Sequence, residues 1–554
     1  MDLADLKKLV AHVESMRNRR LKEWRELSAL FLPSRGMFPG EEKDSVRKRR
    51  LFNNAGQRTL SKAAAGMTAA MTPADYAWFK HQFALPGDRE LTGAGQFVDE
   101  IDERIRKTLA AGGFYDAIHA FNKELLCFCC ALLYVETSNR TAARYSCPTC
   151  GTWAVALDSD RTLACVIHRL TFTVVELIEH FGSEKVSEAT RKKKDSEPYA
   201  SVEVVHVVMK RRDRDEAKHD NKNLPFASYW YEDANSDGLL AESGYHEMPY
   251  MFTVWEDARG IYGTGPGDLA LSDQKAIESY ELRKCVGLEK TIDPPWIAPG
   301  TGKDRLRTDA GAINSVSMAN SQQFIPLFPG GFIQGIQHVQ QEIQSISGRI
   351  DETLMATIFA AMPLDQRPKD MSATEYLDRR RKAAQLMGPA ISAYEPNVLS
   401  RVIERTYGIL DRAGFLPLAP ESVGEFAYLD VSYESPMSQM LSQTGAEAIQ
   451  AFLQVALPLV QADPQALDKV DVDQIIDEVS RRFNVPASVI RSDEQVAALR
   501  EERTRQQAAQ EQASQEQAVM KQIAELGNTS TQGTIAGEVL GSTQGAQTGG
   551  TANG

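Results

Sequence analysis

The 554-residue sequence lacks the long apolar segments of membrane and secreted proteins. Its longest uninterrupted apolar run, 125–135, is much shorter than the roughly 20 residues that cross a bilayer. The chain starts with Met-Asp-Leu-Ala-Asp, which is acidic and is not followed by the apolar core of a signal peptide. We therefore expect a protein that is made in the cytoplasm and does not enter a membrane.

The sequence also lacks an excess of positive charge. It has 62 Lys and Arg against 75 Asp and Glu, which gives a net charge of −13. Proteins that wrap nucleic acid neutralise phosphates with clustered Lys and Arg. The acidic balance argues against that class of protein, while 42% hydrophobic residues are enough for a sizeable core.

Motifs for nucleotide binding or catalysis are missing. Gly300-Thr-Gly-Lys303 is not a phosphate-binding loop, because such a loop needs Gly where Ile297 stands and Ser or Thr where Asp304 stands. The glycines at 263 and 265 lack the third glycine of a dinucleotide fingerprint. No Ser/His/Asp or His-Glu-x-x-His pattern occurs either, so we expect no enzyme activity.

Six of the seven cysteines fall within 127–165 and raise the question of a metal. Cys147-Pro-Thr-Cys150 has the form of a zinc knuckle. Its partner pair is either 127/130 upstream or Cys165 and His168 downstream. The downstream pair is favoured, because a turn at 158–161 returns His168 towards the knuckle.

The alternative is that these are reduced cysteines buried in a hairpin, since cysteine is among the most buried residue types. We expect no cofactor, with zinc on Cys147, Cys150, Cys165 and His168 as a minor structural possibility. Disulfides are not expected in a cytoplasmic product.

The most informative stretch runs from a predicted strand at 250–255 to a prolonged helix. Glycines at 263, 265 and 267 allow a sharp turn, and Asp268 stands where a helix N-cap belongs. Apolar residues then follow at helical spacing until Pro294 and Pro295. A helix of about 25 residues at a rise of 1.5 Å is a rod of nearly 40 Å.

This block resembles the portal, or head-to-tail connector, family of tailed bacteriophages, in its short-tailed-phage version. Other short segments match that family in the same order along residues 20–420. They are Trp24-Arg-Glu-Leu27, Leu32-Pro-Ser-Arg35, Asn53-Asn-Ala-Gly-Gln-Arg58, Ala63-Ala-Ala-Gly-Met67, Trp78-Phe79, Pro225-Phe-Ala-Ser-Tyr229, Ser372-Ala-Thr-Glu375 and Ala413-Gly-Phe-Leu-Pro417.

The resemblance implies an α+β portal fold with an α/β wing, a two-helix stem, a small β-containing clip and an α-helical crown. The implied segments, in chain order, are wing 1–266, first stem helix 267–292, clip 293–333, second stem helix 334–359, tunnel loop 360–371, wing 372–439, crown 440–526 and a disordered tail 527–554.

The resemblance also implies a function. Portals form a dodecameric ring at one capsid vertex, through which double-stranded DNA is packaged and ejected, without sequence preference. The implied partners are the terminase large subunit, the major capsid and scaffolding proteins and tail adaptor proteins, and the implied location is the virion. The acidic balance suits a channel in which DNA slides without sticking. The rival hypothesis is a zinc-ribbon protein that binds nucleic acid through 127–168.

Two groups of residues are candidates for contact with DNA. By analogy with the family, the tunnel loop would direct Gln366, Arg367 and Lys369 towards the channel. On a clip strand, alternate residues would share one face and form a basic surface for DNA or terminase, namely Lys303, Arg305 and Arg307. The alternative for each group is an ordinary solvated loop.

The periodicity further predicts one amphipathic helix over 3–31, a return helix running unbroken from 333 to 358, and several other elements. The other helices are 54–71, 96–111 and 114–131, and the strands are 153–157, 163–168 and 202–209.

Overall fold

The computed structural model describes residues 2–40, 51–83, 94–215, 217–218, 220–234, 238–257, 260–300, 305–316, 325–327, 332–361, 392–419, 429–436, 438, 496, 499–508 and 517–521. The chain divides into two compact units, Met1–Thr444 and Gly445–Gly554. In the second unit, the described stretches 499–508 and 517–521 are helical. No helix in the described part of the chain is both long enough and apolar enough to cross a membrane.

Helices and sheets are mixed in the first unit, which confirms the predicted combination of the two. The helices are α1 Leu3–Asn18, α2 Leu21–Phe31, α3 Ala55–Met71, α4 Ala94–Ala111, α5 Phe114–Phe128, α6 Val174–Phe181, α7 Glu188–Ser196, α8 Pro266–Ile292, α9 Phe332–Thr353, α10 Ala356–Ala361 and α11 Ser400–Arg412, the last preceded by a π-helical turn, Glu395–Leu399.

In the part of the chain that the structure describes, the strands form four sheets of two to five strands. They are β1 Phe79–Phe83, β2 Cys130–Ser138, β3 Ala142–Ser146, β4 Trp153–Leu157, β5 Leu163–Thr173, β6 Ser201–Lys210, β7 Phe226–Glu232, β8 Ala241–Tyr245, β9 Tyr250–Val254, β10 Trp296–Pro299, β11 Ile313–Val316, β12 Ile325–Pro326 and β13 Leu429–Tyr433. Their spatial orders are β4-β5-β6-β7-β8, β3-β2-β9, β11-β10-β12 and β1-β13.

The main core lies where α2, α3 and α5 meet the β3-β2-β9 sheet. Trp24 at its centre contacts the rings of Trp153 and Tyr262, with centroids 6.4 and 5.1 Å away. Helix α3 carries small residues on its packed face, and the Cβ of any residue replacing Gly66 would come within 2.6 Å of the Phe359 carbonyl oxygen on α10. The Ala-rich stretch predicted to pack closely against a neighbour therefore does so.

The predicted helix over 3–31 is wrong as a single element. Helix α1 ends at Asn18, and the Arg20 amide donates to the carbonyl of Arg17 in a tight turn before α2 begins at Leu21. The turn sends the Arg20 guanidinium across to Asp268, 248 residues later in the chain. This long-range ion pair is invisible to helical periodicity.

The predicted helix over 114–131 is too long at its end. Helix α5 stops at Phe128 because Cys129 adopts the left-handed conformation, with φ 66°, and Cys130 opens strand β2 opposite Val254. The run from 125 to 135 is thus apolar because it is buried both as helix and as strand.

The return helix predicted from 333 to 358 is interrupted. Helix α9 ends at Thr353, Met355 has φ 55°, and α10 begins at Ala356. Leu354 and Ala356 are fully buried at this corner. The apolar stripe continues through the bend because both helices face the same core. The spacing of apolar residues therefore does not reveal that the helix changes direction.

Candidate functional site

Helix α8 rises from a base that is fitted closely to the body. At Gly267, the Cβ of any larger residue would lie 1.9 Å from the carbonyl oxygen of Cys127. Asp268 accepts two hydrogen bonds from Arg20, at 2.9 and 2.8 Å. The helix starts at Pro266 with Gly265 as its N-cap, so the expectation that Asp268 is the N-cap is wrong. Asp268 lies in the first turn instead, where an acidic group interacts favourably with the helix dipole.

Helices α8 and α9 form an antiparallel pair. The Arg349 guanidinium donates to Asp273 at 3.0 Å, and the Lys284 ammonium donates to Gln340 at 3.0 Å. As the chain advances along α8, the partner on α9 moves backwards by about the same number of residues. Gly287 faces Ile336 at the far end, where an added Cβ would make ordinary contact at 3.7 Å.

The outer half of α8 exposes four large apolar side chains, whereas its base exposes one, Leu269, at 71%. Leu282, Val286, Leu288 and Ile292 are 43%, 39%, 39% and 83% exposed, whereas Ala270 and Ile277 near the base are fully buried. Four large apolar residues within eleven positions of one helix are more than the scattered exposure of a typical surface. The outer half of the pair therefore offers an apolar surface for another protein chain.

A small three-stranded sheet separates the two helices in sequence. Strand β10 pairs parallel with β11 and antiparallel with β12. Asn314, only 6% exposed, ties the connection together: its side chain accepts from the Arg307 amide at 2.7 Å and donates to the Arg307 carbonyl at 2.9 Å. Helix, small sheet and antiparallel helix thus follow one another as the sequence predicts.

The strand predicted to carry the basic clip residues is not formed at those that can be placed, and their contact with DNA or terminase stays a prediction. Arg305 and Arg307 lie in a segment without regular structure, and Lys303 falls outside the described residues. Both arginines are exposed, and Arg307 forms an ion pair with Asp309 at 3.2 Å. The amide and carbonyl groups of Arg307 bond to Asn314, which holds the backbone in a loop in place of a strand ladder.

The predicted tunnel-loop residues Gln366, Arg367 and Lys369 all lie outside the described residues, as does 440–495 of the predicted crown. The described chain ends at Ala361 before this segment and resumes at Ser392. The roles assigned to these side chains stay predictions.

The Cys147–Cys150 turn is organised around a buried carboxylate. Glu124, with no exposed surface, accepts from the Cys150 amide at 3.0 Å, from the Thr149 hydroxyl at 2.9 Å and from the Arg35 guanidinium at 2.7 Å. Burial raises the pKa of Glu124, while Arg35 and the other two donors oppose that rise. The Cys150 amide and the Thr149 hydroxyl, which could have surrounded a zinc knuckle, donate instead to the Glu124 carboxylate.

The four zinc candidates are not gathered into one cluster. Cys150 lies in the main core, whereas Cys165 lies in a second core between the five-stranded sheet and α1. The His168 ring Nδ1 lies 3.1 Å from the Tyr250 hydroxyl. Within the described residues, which include all four candidates, no group of three or more His, Cys, Asp or Glu is placed to hold a metal ion. Burial raises the pKa of the three cysteine thiols in this set, those of the half-buried Cys147 and of the buried Cys150 and Cys165.

A buried polar network that the sequence did not reveal joins the five-stranded sheet to the β3-β2-β9 sheet. The Tyr250 hydroxyl lies between ring Nδ1 atoms of His168 and His206, at 3.1 and 2.9 Å, and the His206 Nε2 lies 3.0 Å from the Ser228 hydroxyl. Trp230 stacks on His206 with centroids 3.8 Å apart. Burial lowers the pKa of His168 to about 4 and lowers that of His206 well below its usual range.

Similar proteins come from tailed phages. The chain is 26% identical over 524 residues to the "Probable portal protein" of Bordetella phage BPP-1, with 92% of this chain and 93% of that protein covered. It is 25% identical over 509 residues to the "Portal protein" of Salmonella phage epsilon15, with 90% and 91% covered.

Among solved structures, a chain of the "Neck of empty GTA particle computed with C6 symmetry" matches with a TM-score of 0.30 and 11% identity, covering 83% of this chain and 94% of that one. A family model described as "Bacteriophage head to tail connecting protein" matches residues 3–490. That match takes in the body, the long helix pair and the small sheet between them. The chain belongs to the bacteriophage head to tail connecting protein family.

Proposed function

We propose that this chain is a phage portal protein, which forms the ring-shaped channel at the capsid vertex through which genomic DNA enters and leaves. The observation that carries the proposal is the antiparallel pair of α8 and α9 around a small sheet, within a chain that belongs to a head-to-tail connecting family. The two curated relatives with portal names, aligned over about nine-tenths of this chain, support the same function.

In this proposal α8 and α9 are the stem and β10–β12 belong to the clip. The exposed apolar residues of α8 pack against the neighbouring copy, which explains why they find no cover in a single chain. Such a contact is head-to-tail: one surface of a copy meets a different surface of the next, and the ring closes by rotation. The wing is the body built from 1–266 and 372–439, and the crown is 440–526.

The DNA contacts are few and directed at the backbone. Arg305 and Arg307 are exposed and, with Lys303, supply positive charge to the clip for DNA or terminase. Gln366, Arg367 and Lys369 of the tunnel loop contact phosphates in the channel. Because a ring repeats each side chain in every copy, a few charges per chain are enough for binding without sequence preference.

The proposed role is structural, so the chain hydrolyses no nucleotide itself and depends on the terminase large subunit for that chemistry. Its other proposed partners are the major capsid and scaffolding proteins and the tail adaptors. The proposed location is the head–tail junction of the virion, after assembly in the host cytoplasm. No observation in the described residues favours the zinc-ribbon alternative.

Electron microscopy of the purified full-length protein, with two-dimensional averaging, tests the proposal. We expect rings with a central hole, and a dodecamer on counting the subunits. Compact monomers or dimers at high protein concentration would contradict it.

A further inference from the structure

Strand β9 is an edge strand whose outward amides have no hydrogen-bond partner among the described residues. Of its outward carbonyls, that of Val254 accepts from the neighbouring Thr253 hydroxyl at 3.4 Å. In the β3-β2-β9 sheet, β9 pairs only with β2. The amide of Val135 bonds to the Pro249 carbonyl, and the amide of Trp255 bonds to the carbonyl of Cys129. Antiparallel ladders bond every second residue, so 249, 251, 253 and 255 face β2, and the N–H and C=O groups of Tyr250, Phe252 and Val254 face away from it.

The opposite edge of the same sheet is closed. The outward amide of Tyr145 on β3 bonds to the Gly112 carbonyl at 3.1 Å, and the outward amide of Ala143 bonds to the Thr141 carbonyl at 2.7 Å. One edge of this sheet is therefore completed by its own chain. On the other edge, Glu256 just past β9 pairs with Thr264, and the outward amides over 250–254 are left open among the described residues.

The open edge forms one side of a groove with a volume of about 1060 Å³. The residues that line the groove include Thr162 and Lys210 as well as Asn397 and Arg401 at and just after the π-helical turn. Polar and apolar groups both line it, and the side chains of Tyr250 and Phe252 are only 2% and 8% exposed. Backbone amides and carbonyls along a strand edge are best satisfied by another backbone, because a polypeptide strand supplies donors and acceptors at the right spacing.

The strand carries none of the features that keep an edge from pairing. Its sequence, Tyr-Met-Phe-Thr-Val, has no charge, no proline and no lysine, and its register with β2 is regular. Such an edge is a hazard for aggregation unless it is covered permanently. This step rests on the function proposed above, in which the chain forms a ring. In a ring, the polypeptide that is always present beside this edge is the neighbouring copy.

Charge at the rim is consistent with such an occupant. Asp160 and Glu256 are both exposed beside the groove, and neither forms an ion pair with a described residue. The other charges at the rim are already matched, as Arg161 is with Asp257 and Arg401 is with Glu404. The rim is left acidic and complements an extended segment that carries Lys or Arg.

We propose that the outer edge of β9 is an assembly site, at which an extended basic segment of a second copy of this chain adds a strand to the β3-β2-β9 sheet. About five residues pair there, a length of roughly 17 Å at the rise of a β-strand. The contact is distinct from the packing of α8, because it involves backbone groups of the body and not apolar side chains of the long helix.

Hydrogen–deuterium exchange of the full-length protein tests this site directly. Assembled and unassembled fractions of the wild-type chain are separated by size and compared over the peptide that contains 250–254. We expect the amides of Tyr250, Phe252 and Val254 to exchange at least about tenfold more slowly in the assembled fraction, because pairing protects them from local opening. Equal exchange in both fractions overturns the proposal.

Val254→Pro is the variant that isolates the edge. Proline removes the outward N–H at 254 and leaves every bond between β9 and β2 in place, so it is tolerated at such a position. Val254→Thr is the matched control, because it changes the side chain and retains the amide. We expect Val254→Pro chains to stay folded by circular dichroism and to lose most assembly, and Val254→Thr chains to assemble normally.

The outcomes separate this site from the ring itself. Rings of wild type with an unprotected β9, or rings of Val254→Pro as abundant as those of Val254→Thr, overturn the edge contact and leave the portal function standing. A wild-type chain that forms no ring overturns both proposals. If Val254→Pro proves unfolded, the wild-type exchange comparison decides the question by itself.

Discussion

The two ends of helix α8 differ in how much of their surface is covered by the rest of the same chain. At its base, Gly267 and the Arg20–Asp268 ion pair fix the helix to residues of its own chain. At its outer half, four large apolar side chains lie open, from Leu282 to Ile292. The base is held by contacts within one chain, whereas in the proposed ring the outer half is covered by a neighbouring copy. Changes in the base and the body around it should therefore act on the stability of the single chain, and changes in the outer half on assembly.

The largest effect is expected inside the body at Glu124. Replacing Glu124 by Leu leaves the Arg35 guanidinium, the Cys150 amide and the Thr149 hydroxyl without their shared acceptor. We expect a loss of about 3 kcal/mol in the free energy of unfolding, measured by denaturant titration. The control is Glu103→Gln on the exposed face of α4, whose solvent-screened ion pair with Lys107 should contribute little to the free energy of unfolding. Similar losses for both variants would contradict the central position given to Glu124.

Acid should destabilise the buried network that joins the five-stranded sheet to the β3-β2-β9 sheet. The folded pKa of His168 is about 4 against an ordinary value of 6.5, and burial also lowers the pKa of His206, so the unfolded chain binds protons more readily. Stability should be constant above about pH 6.5 and fall as the pH drops towards 4, by about 3 kcal/mol for His168.

Thermal unfolding of the wild type and of His168→Gln across this range checks that slope. The variant keeps a polar side chain at 168 but removes the group that titrates, and we expect its stability to vary less with pH. An identical slope in the two proteins would show that the loss of stability arises elsewhere.

Two glycines of α8 give a matched test of base against outer half. Gly267→Ala forces a Cβ to within 1.9 Å of the Cys127 carbonyl oxygen, and we expect a loss of about 1–3 kcal/mol. Gly287→Ala meets Ile336 only at 3.7 Å, and removing glycine from a helix interior should stabilise by about 0.5–1 kcal/mol. Denaturation midpoints of both variants measure this difference in stability. Equal midpoints for the two variants would show that the base is not tightly fitted.

The smallest effect on the single chain is expected from the double change Leu282→Ser and Val286→Ser. Both side chains are about two-fifths exposed, so the free energy of unfolding of the unassembled chain should change by less than about 1 kcal/mol. Ring formation should nevertheless be strongly reduced, as seen by analytical ultracentrifugation. The matched control is Lys290→Ser, one turn further along the same helix, which should leave assembly intact. If the unassembled double variant were clearly less stable than wild type, Leu282 and Val286 would belong to the chain's own core and not to an assembly surface.

The sequence predicts local elements well where one physical signal decides them. Helix α3, strand β4 and the end of α8 before Pro294 fall where composition, alternation and proline indicate. It fails where distant residues decide. The break between α1 and α2 depends on the pairing of Arg20 with Asp268, and the corner at Met355 depends on a core that continues around a bend.

The site shows the same limit. Cys147-Pro-Thr-Cys150 matches a knuckle by spacing, but spacing gives no sign that Glu124 enters the turn from helix α5. A Glu among apolar residues of α5 is the one signal that could have pointed to it, since a carboxylate is seldom fully buried without a partner. Likewise, alternation predicted a strand at 303–307 but could not reveal that Asn314 holds Arg307 in a loop.

The most direct test of the central claim is the subunit count of the assembled full-length protein, determined by electron microscopy with two-dimensional averaging. The account predicts closed rings with a central hole and twelvefold symmetry. It would be contradicted by a protein that stays monomeric or dimeric at high concentration, because the outer half of α8 would then have no neighbour to cover it.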